Sequence, residues 1–437
     1  MNSWRTGLPA FRVVAFGQII SSVGDEISGF ALTVWAYQRT GSVTVLGLLL
    51  FFTIIPYLIA LPFAGAIVDR SNRRLMMLLT DAVAFVYTVA LLVLQLAGVL
   101  EIWHMYVGVT FIGVALAFRD PAFYSSMSLM VKKEDIPKAA GALGLAESAR
   151  TLGGPVIGAI LYPLIGLEGV LIVDIATFAA SFGALLFISV PQPLPPAVPM
   201  RIKWLEETTF GFKYIFKRPS LLGLVLCGSF FNIAFGIGQA VQPALILARG
   251  DTTALAIVRT VAGVGGLVGG LAVSVWGAPQ RRIIGVLASI AMYGLGLTVM
   301  GVGQNVWVWS IGGFIGMVFF GLWPAAGSAI WQRKIAPDNL GKVTAARRFM
   351  GFIATPIGAL LAGPLTDGLL TPAMRSGGAL EGLFGGIVGA SAGAGFALAL
   401  LLCGVWQIGV AIIAWLSPTV RNVEDLEPDF EMPAQAT

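Results

Sequence analysis

A set of ionisable residues interrupts long apolar runs in the first half of the sequence. A charged side chain within a membrane helix costs several kcal/mol, so it normally faces a partner or a water-filled cavity. A carboxylic acid at such a low-dielectric site binds its proton more tightly, which is the property that a proton carrier needs. The candidate proton-coupling residues are Asp25, Glu26, Glu147 and Asp174, and the candidate charge-tuning residues are Arg119, Asp120 and Arg150.

Asp25 and Glu26 are the most informative of these acids, because they are adjacent and leave no obvious local base. Neighbouring residues on a helix point about 100° apart, so at most one of the two can face a central cavity squarely. We expect that one to be the main proton acceptor, with Arg119 or Arg150 tuning its affinity for protons. The alternative is a structural network in which these arginines neutralise nearby carboxylates and fix the packing of helices.

The elements that carry these residues have the length of membrane-spanning helices. Of the 437 residues, 57% are hydrophobic and only 11% are charged, with a mean hydropathy of +0.87, whereas a soluble domain carries about 25% charged residues. A spanning helix needs about 20 apolar residues. The sequence predicts an all-α integral membrane protein with twelve transmembrane helices, at 13–37, 44–68, 75–98, 103–130, 139–163, 167–190, 220–248, 253–277, 281–302, 305–332, 340–366 and 387–416.

Basic residues concentrate on one side of the predicted membrane. With both termini in the cytoplasm, 21 of the 27 Lys and Arg fall in cytoplasmic segments, and only Arg39, Arg249 and Arg375 fall in outer ones. The positive-inside rule therefore predicts that both termini lie in the cytoplasm. We expect a multi-pass protein of the plasma membrane. The net charge of +5 follows these loops and does not indicate binding to nucleic acid.

A proline-rich stretch and an internal repeat divide the chain into two sets of six helices. A shift of 200 residues places Ile157-Gly158-Ala159 on Ile357-Gly358-Ala359. We predict two six-helix pseudo-repeats at 1–190 and 220–417, and a linker at 191–219 that contains an amphipathic helix on the cytoplasmic surface. A partner-binding role for that helix is the alternative. The acidic tail at 418–437 has a composition typical of disorder, and the glycine-rich outer loop 369–386 is expected to be a flexible cover or hinge.

The loop between the second and third predicted helices has the spacing Gly65-x-x-x-Asp69-Arg70-x-x-Arg73-Arg74. Glycine lets a neighbouring helix approach closely, and Asp69 can cap or pair with a facing helix. This pattern resembles the signature loop of the major facilitator superfamily, whose fold has two parallel six-helix repeats. The resemblance implies a gating latch formed by Gly65, Asp69, Arg70, Arg73 and Arg74. A degraded copy, Gly270, Ser274, Gly277 and then Arg281-Arg282, has lost the acidic position.

A second resemblance concerns the branch within this superfamily. The stretch Gly153-Gly154-Pro155-Val156-Ile157-Gly158 resembles the Gly-Pro motif of drug:proton antiporters, although Ala159 and Arg150 stand where that motif has glycines. Gly-Pro loosens a membrane helix, so Gly154, Pro155 and Gly158 are expected to permit bending. The order of motifs over residues 10–190 is similar to that of macrolide-efflux and enterobactin-export proteins, which implies proton-driven export of amphipathic small molecules.

The second half offers polar and aromatic residues where a cavity wall would lie, and we expect them to contact substrate. The candidate substrate-cavity residues are Tyr124 from the first half and Asn232, Gln239, Gln242, Phe320 and Trp323 from the second. Each is also compatible with simple packing.

No enzymatic site is predicted. The single histidine is His104, and no phosphate-binding Gly-x-x-x-x-Gly-Lys motif occurs, so we expect neither an enzyme nor an ATP-driven pump. Cys227 and Cys403 lie inside apolar runs and are interpreted as packing residues, and no metal or cofactor is expected. We expect a monomer whose partners are protons, a small amphipathic substrate and the lipid bilayer. The alternatives are a lipid or lysophospholipid transporter without proton coupling, a nutrient importer and a channel.

Overall fold

The computed structural model describes residues 7–188, 204–277 and 279–430. The chain divides into two compact units. Unit 1 contains residues 1–199 and 246–260, and unit 2 contains residues 200–245 and 261–437. Throughout the described ranges the regular structure is helical and no strand occurs, which confirms the predicted all-α class.

Unit 1 begins with four long helices: α1 (Gly7–Thr40), α2 (Val43–Arg70), α3 (Arg73–Leu96) and α4 (Ile102–Met130). A short 3-10 turn at Lys133–Asp135 leads into a helical stretch, Ile136–Phe187, that is broken at Gly166. Gly166 has φ 68° and ψ −175°, a conformation open to glycine because it lacks a Cβ. The break separates α5 (136–165) from α6 (167–187), as the sequence predicted.

Small residues allow α1 to lie directly against α5 and α6. A Cβ added to Gly17 would come within 3.0 Å of Ala184 Cβ, and one added to Gly24 would come within 2.6 Å of Asp174 Oδ1. On the other side of this contact, a Cβ on Gly154 would overlap the side chain of Glu26. Close backbone approach through small residues is how membrane helices pack without a hydrophobic driving force between them. The acids of α1 are therefore held against α5 and α6.

Unit 2 begins with the amphipathic helix α7 (Trp204–Phe216), and the predicted linker before it lies outside the described residues. The helices α8 (Pro219–Arg249) and α9 (Thr252–Trp276) follow, each with some of its residues in unit 1. The remaining helices are α10 (Arg282–Val302), α11 (Val306–Phe320), α12 (Leu322–Lys334), α13 (Pro337–Phe352), α14 (Ala354–Gly363), α15 (Thr371–Ala373), α16 (Glu381–Val388), α17 (Ala394–Leu416), α18 (Pro418–Arg421) and α19 (Val423–Leu426), with a π-helical turn at Pro364–Leu370 between α14 and α15.

Ten of the described helical segments are long and apolar enough to cross a membrane. One of them, Gly153–Leu186, contains the break at Gly166 and so carries two of the predicted spans. The 34-residue α1 is not among the ten, because Asp25 and Glu26 lower the hydropathy of its central part. Counting Gly153–Leu186 as two spans and adding α1 gives the twelve predicted spans.

The C-terminal segment differs from its prediction. The sequence suggested a disordered acidic tail, but residues 418–430 form two helical turns and a docked extension, while residues 431–437 lie outside the description. Val420 is 6% exposed and Val423 is fully buried in the core of unit 2. The expectation of disorder considered composition alone, whereas two buried valines directly before the acids anchor the segment.

The glycine-rich outer loop also contains more structure than expected. Residues 381–388 form α16, and the N–H of Gly377 donates to Glu381 Oε2 at 2.6 Å. Gly377 has a φ of +79°, which favours glycine. The loop is therefore a folded turn and a short helix.

Candidate functional site

Arg119 on α4 lies between two carboxylates of unit 1. Its Nη1 is 3.3 Å from Asp25 Oδ2 on α1, and its Nε is 3.7 Å from Asp81 Oδ1 on α3. It also donates to Gln18 Oε1 from Nε at 3.0 Å and from Nη2 at 2.9 Å. The Arg119 side chain is 14% exposed. A single buried cation is thus shared by acids from two different helices.

Asp81 is the member of this cluster that the sequence argument missed. It is 2% exposed, and its Oδ2 accepts from Gln18 Nε2 at 2.8 Å and from Ser181 Oγ at 3.1 Å. Its signal was present in the sequence, because it is a lone acid within the apolar run 75–98. Gln18 connects the cluster by donating to Asp81 while it accepts from Arg119.

Asp25 and Glu26 contact different arginines, in keeping with the 100° between neighbouring helical positions. Asp25 pairs with Arg119, whereas Glu26 forms a short ion pair with Arg150 Nη1 on α5. Both carboxylates keep 32% of their side-chain surface exposed. These pairs are also what the structural-network alternative requires. Glu147 is three positions before Arg150 on α5, and its side chain lies outside the described residues.

Asp174 lies apart from the Arg119 cluster. It is 2% exposed on α6, and Thr88 Oγ1 on α3 donates to its Oδ2 at 3.1 Å. It lies against α1 at Gly24, as described above. Asp120 is an exposed neighbour of Arg119 on α4. The structure therefore brings Asp25 and Arg119 together, places Glu26 with Arg150, and gives Asp174 its own hydroxyl partner.

The Gly-Pro stretch of α5 keeps helical backbone angles, and the non-helical residue of this region is Gly166. Gly154 faces Glu26, and a Cβ on Gly158 would come within 3.2 Å of Ile27 O. These two glycines and Pro155 are buried. Gly154 and Gly158 allow close contact with α1. A role of these residues in helix bending stays a prediction.

The arginines of the 65–74 loop contact the ends of other helices. Arg73 Nε donates to Ser125 Oγ on α4 at 2.8 Å. Arg74 donates from Nε to Leu185 O and from Nη2 to Leu186 O, both at 2.7 Å, at the C-terminal end of α6. The last carbonyls of a helix lack intrahelical partners and carry partial negative charge, so a guanidinium stabilises them.

The other three residues of the pattern are Gly65, Asp69 and Arg70. Among the described atoms nothing lies within 4 Å of a Cβ placed on Gly65, and close approach of a helix there stays a prediction. Arg70 is exposed, and the side chain of Asp69 lies outside the described residues. The latch stays a prediction.

The candidate substrate-cavity residues fall in different surroundings. Tyr124 on α4 is 58% exposed, and Gln239 on α8 is exposed. Asn232 donates to Gly351 O at 3.2 Å, and Gln242 lies 3.0 Å from Met300 Sδ. Phe320 and Trp323 pack with Phe231, Phe235 and Tyr293, at ring-centroid distances from 5.1 Å to 6.4 Å. Unit 2 thus contains an aromatic cluster to which α8, α10, α11 and α12 contribute.

A family model for the major facilitator superfamily matches residues 14–359 of the chain. The chain belongs to the major facilitator superfamily. This confirms the resemblance inferred from the 65–74 loop. As a member of this superfamily the protein is a multi-pass membrane transporter and not an enzyme.

Several efflux proteins are similar to this superfamily member along most of its length. Macrolide efflux protein A of Streptococcus pyogenes is 23% identical over 370 residues, which cover 84% of this chain and 91% of that protein. Multidrug efflux pump Tap of Mycolicibacterium fortuitum is 24% identical over 376 residues, covering 81% and 88%. Enterobactin exporter EntS of Shigella dysenteriae serotype 1 is 27% identical over 249 residues, covering 54% and 56%.

Solved transporter structures share the fold of this superfamily member. A bacterial homologue of the human lysosomal transporter Spinster, in an inward-facing and unoccupied conformation, has a TM-score of 0.69 with 16% identity, over 95% of this chain and 99% of that one. A POT family transporter in complex with 5-aminolevulinic acid has a TM-score of 0.68 with 12% identity, over 94% and 97%. At these identities the likeness concerns the fold alone.

Proposed function

We propose that this protein exports amphipathic small molecules by alternating access, in exchange for protons. The direction of transport and the class of substrate are supported by the relatives, which are named as macrolide efflux, multidrug efflux and enterobactin export proteins. Proton exchange is supported by one observation in particular, the position of Arg119 between Asp25 and Asp81.

The shared arginine offers a way to couple protonation to movement. One guanidinium cannot neutralise two carboxylates, so a proton on either acid leaves the other as the preferred partner of Arg119. Since Asp25 lies on α1 and Asp81 on α3, protonation changes which of these helices is electrostatically tied to α4. A difference in interaction free energy between two such arrangements is what shifts a conformational equilibrium.

The two acids differ in the exposed fraction of their side chains, which supports different roles for them in this proposal. The Asp25 side chain is 32% exposed, whereas Asp81 is 2% exposed and accepts hydrogen bonds from Gln18 and Ser181. Asp25 is therefore the acid that exchanges protons with the cavity. Asp81 is the fixed alternative partner that accepts Arg119 when Asp25 is protonated.

Further parts of the proposal rest on the sequence pattern. Both termini lie in the cytoplasm, the 65–74 loop acts as a cytoplasmic latch, and the second half supplies the polar and aromatic wall for substrate. The bonds from Arg74 to the end of α6 support a role of this loop in holding helix ends together. The transporter works as a monomer in the plasma membrane.

Uptake into inverted membrane vesicles tests the proposal. A macrolide, a catecholate siderophore and a lysophospholipid are offered with and without an acid-inside pH gradient. We expect uptake of the macrolide or the siderophore that collapses when the gradient is dissipated. Gradient-independent movement of the lysophospholipid alone would contradict the proposal and favour a lipid carrier. Vesicles without the protein give the background for each compound.

A further inference from the structure

The second copy of the signature loop obtains its carboxylates from the far end of the chain. That copy, between α9 and α10, has Ser274 where the first copy has an acid, yet it keeps Arg281 and Arg282. Arg282 Nη1 lies 3.4 Å from Glu424 Oε1, and Arg281 Nη2 lies 3.4 Å from Asp425 Oδ2. Both acids belong to the segment that follows the last membrane helix.

Glu424 also caps a helix. The backbone N–H of Ile283, in the first turn of α10, donates to Glu424 Oε2 at 3.0 Å. The first N–H groups of a helix have no intrahelical partner, and negative charge near them is stabilising. Arg281, the residue at the N-cap position of α10, makes no side-chain capping bond itself. A residue distant in sequence thus performs the capping that the local sequence lacks.

A second anchor joins the segment to the end of α12. Asp429 lies 2.5 Å from Arg333 Nη2 and 2.7 Å from Lys334 Nζ. The Lys334 ammonium also donates to the carbonyl oxygens of Glu424 and Glu427, and its side chain is only 6% exposed. The N–H of Phe430 donates to Arg333 O at 2.7 Å. A buried ammonium with several partners is held more firmly than a surface ion pair.

A third anchor lies at the start of α8. Glu427 Oε2 lies 3.3 Å from Arg218 Nε, and its Oε1 accepts a short hydrogen bond from Ser220. The side chain of Val420 lies against Gly223 of α8, where an added Cβ would come within 2.6 Å of it. The segment therefore also makes an apolar contact with α8. The segment therefore connects the ends of three helices that are distant in sequence.

We propose that residues 417–430 form a clasp, an acidic segment bound at the ends of α8, α10 and α12 that replaces the acid missing from the second loop and keeps these helix ends together during transport. Its role in transport rests on the proposed function. Unit 1 offers a parallel, because Arg74 of the first loop binds the carbonyls of Leu185 and Leu186 at the end of α6. In each unit, loop arginines bind the chain at or just beyond its last long helix.

Hydrogen–deuterium exchange of the purified full chain in nanodiscs tests the clasp directly. The variant E424Q/D425N/D429N removes the three carboxylates that pair with Arg281, Arg282, Arg333 and Lys334. We expect the amides of Ile283 and Phe430 to exchange at least about tenfold faster in this variant, a change of about 1.4 kcal/mol in opening free energy. D338N is the matched control, since Asp338 is an exposed acid in the first turn of α13. Equal protection in the triple variant and the wild type would overturn the clasp, and E424Q alone serves if the triple variant does not fold.

Transport measurements on the same proteins separate the clasp from the proposed function. We expect the triple variant to transport several-fold more slowly than both the wild type and D338N at equal protein levels. Lost protection with wild-type transport would overturn the role of the clasp in transport. If the wild type itself transported none of the compounds, the proposed function would fail, while the exchange data would still decide whether the clasp exists.

Discussion

Asp81 and Arg119 approach to 3.7 Å between Oδ1 and Nε, from neighbouring helices of unit 1. Asp25 approaches the same guanidinium to 3.3 Å. The cation is thus shared between a partly exposed carboxylate, Asp25, and a buried one, Asp81. The proposal of proton exchange depends on this inequality.

Replacing Asp25 and Glu26 separately should give unequal results. Asp25→Asn should abolish uptake driven by a pH gradient but retain substrate binding, because it removes the acid that shares Arg119. Glu26→Gln should have a mild effect, because its partner Arg150 lies outside that cluster. Gradient-driven uptake and equilibrium binding in vesicles check both variants. If both retained full uptake, the coupling site would lie elsewhere, and Asp174 or Glu147 would become the better candidate.

Asp81→Asn should reduce gradient-driven uptake by about tenfold or more, equivalent to about 1.4 kcal/mol. The amide oxygen can still accept from Gln18 and Ser181, but the charge that competes for Arg119 is lost. The measurement is initial uptake rate against substrate concentration, with the melting temperature recorded as a check on folding. Asp338→Asn removes an exposed acid in unit 2 and should match the wild type. Undiminished uptake by Asp81→Asn would show that Asp81 is only structural.

Gly154→Ala should destabilise the protein, whereas Gly153→Ala should not. A Cβ on Gly154 overlaps the Glu26 side chain, while none of the described atoms lies within 4 Å of a Cβ on Gly153. Forcing a methyl group into a packed contact costs about 1–3 kcal/mol. Thermal unfolding in detergent, followed by loss of the monodisperse fraction, compares the two variants. Equal melting temperatures would mean that α1 and α5 separate easily at this point.

Asp69→Asn should lower transport and leave expression and folding largely intact. The reason is the latch role proposed for the 65–74 loop, in which the carboxylate pairs with a neighbouring helix at the cytoplasmic side. Transport is measured across a range of substrate concentrations at equal protein levels. Wild-type rates at every concentration would exclude Asp69 from a latch.

The docking of the C-terminal segment should be insensitive to pH from 8 down to 5 and should weaken only in strong acid. Hydrogen bonds from Lys334, together with the charges of Lys334 and Arg333, hold the pKa of Asp429 below its ordinary value of 3.8. A carboxylate with a lowered pKa in the folded state stabilises that state above its ordinary pKa, and the contribution is lost as the pH falls through the folded value. Asp429, Arg333 and Lys334 line a surface cavity together with five other charged residues, Arg281, Arg282, Arg421, Glu424 and Asp425.

A nitroxide at Pro428→Cys reports this docking. The two native cysteines are buried, so they should react slowly with the label. The mobility of the nitroxide at position 428 should stay low at pH 5–8 and rise below about pH 3.8. High mobility already at pH 6 would contradict the assignment of Asp429 as the controlling acid.

The sequence predicted the parts of the fold that depend on local pattern. Apolar runs gave the helices, and Gly166 lies within the gap predicted between 163 and 167. Helix geometry alone also predicted that Asp25 and Glu26 point in different directions. The choice of Arg119 for one and Arg150 for the other depends on how helices rotate against each other, which no local pattern specifies. Asp81 was overlooked because a single acid did not break the run 75–98.

Two features depend on contacts between distant parts of the chain. Gly154 and Gly158 were interpreted as bending points, but the surface of α1 that they contact cannot be inferred from α5 alone. The acidic segment after α17 was interpreted as disordered from its composition, although Glu424 pairs with Arg282 and Asp429 pairs with Lys334 in the fold. A prediction from the composition of this segment alone cannot take into account the arginine and lysine side chains that it binds.

The docked C-terminus has a practical consequence for handling this protein. Phe430 is the last residue of the described part of the chain, and its N–H is hydrogen-bonded to Arg333 O. A fluorescent protein or affinity tag fused shortly after Phe430 would therefore sit beside the clasp and pull on it. Reporter fusions and purification tags belong at the other terminus, with a C-terminally tagged copy kept as the comparison.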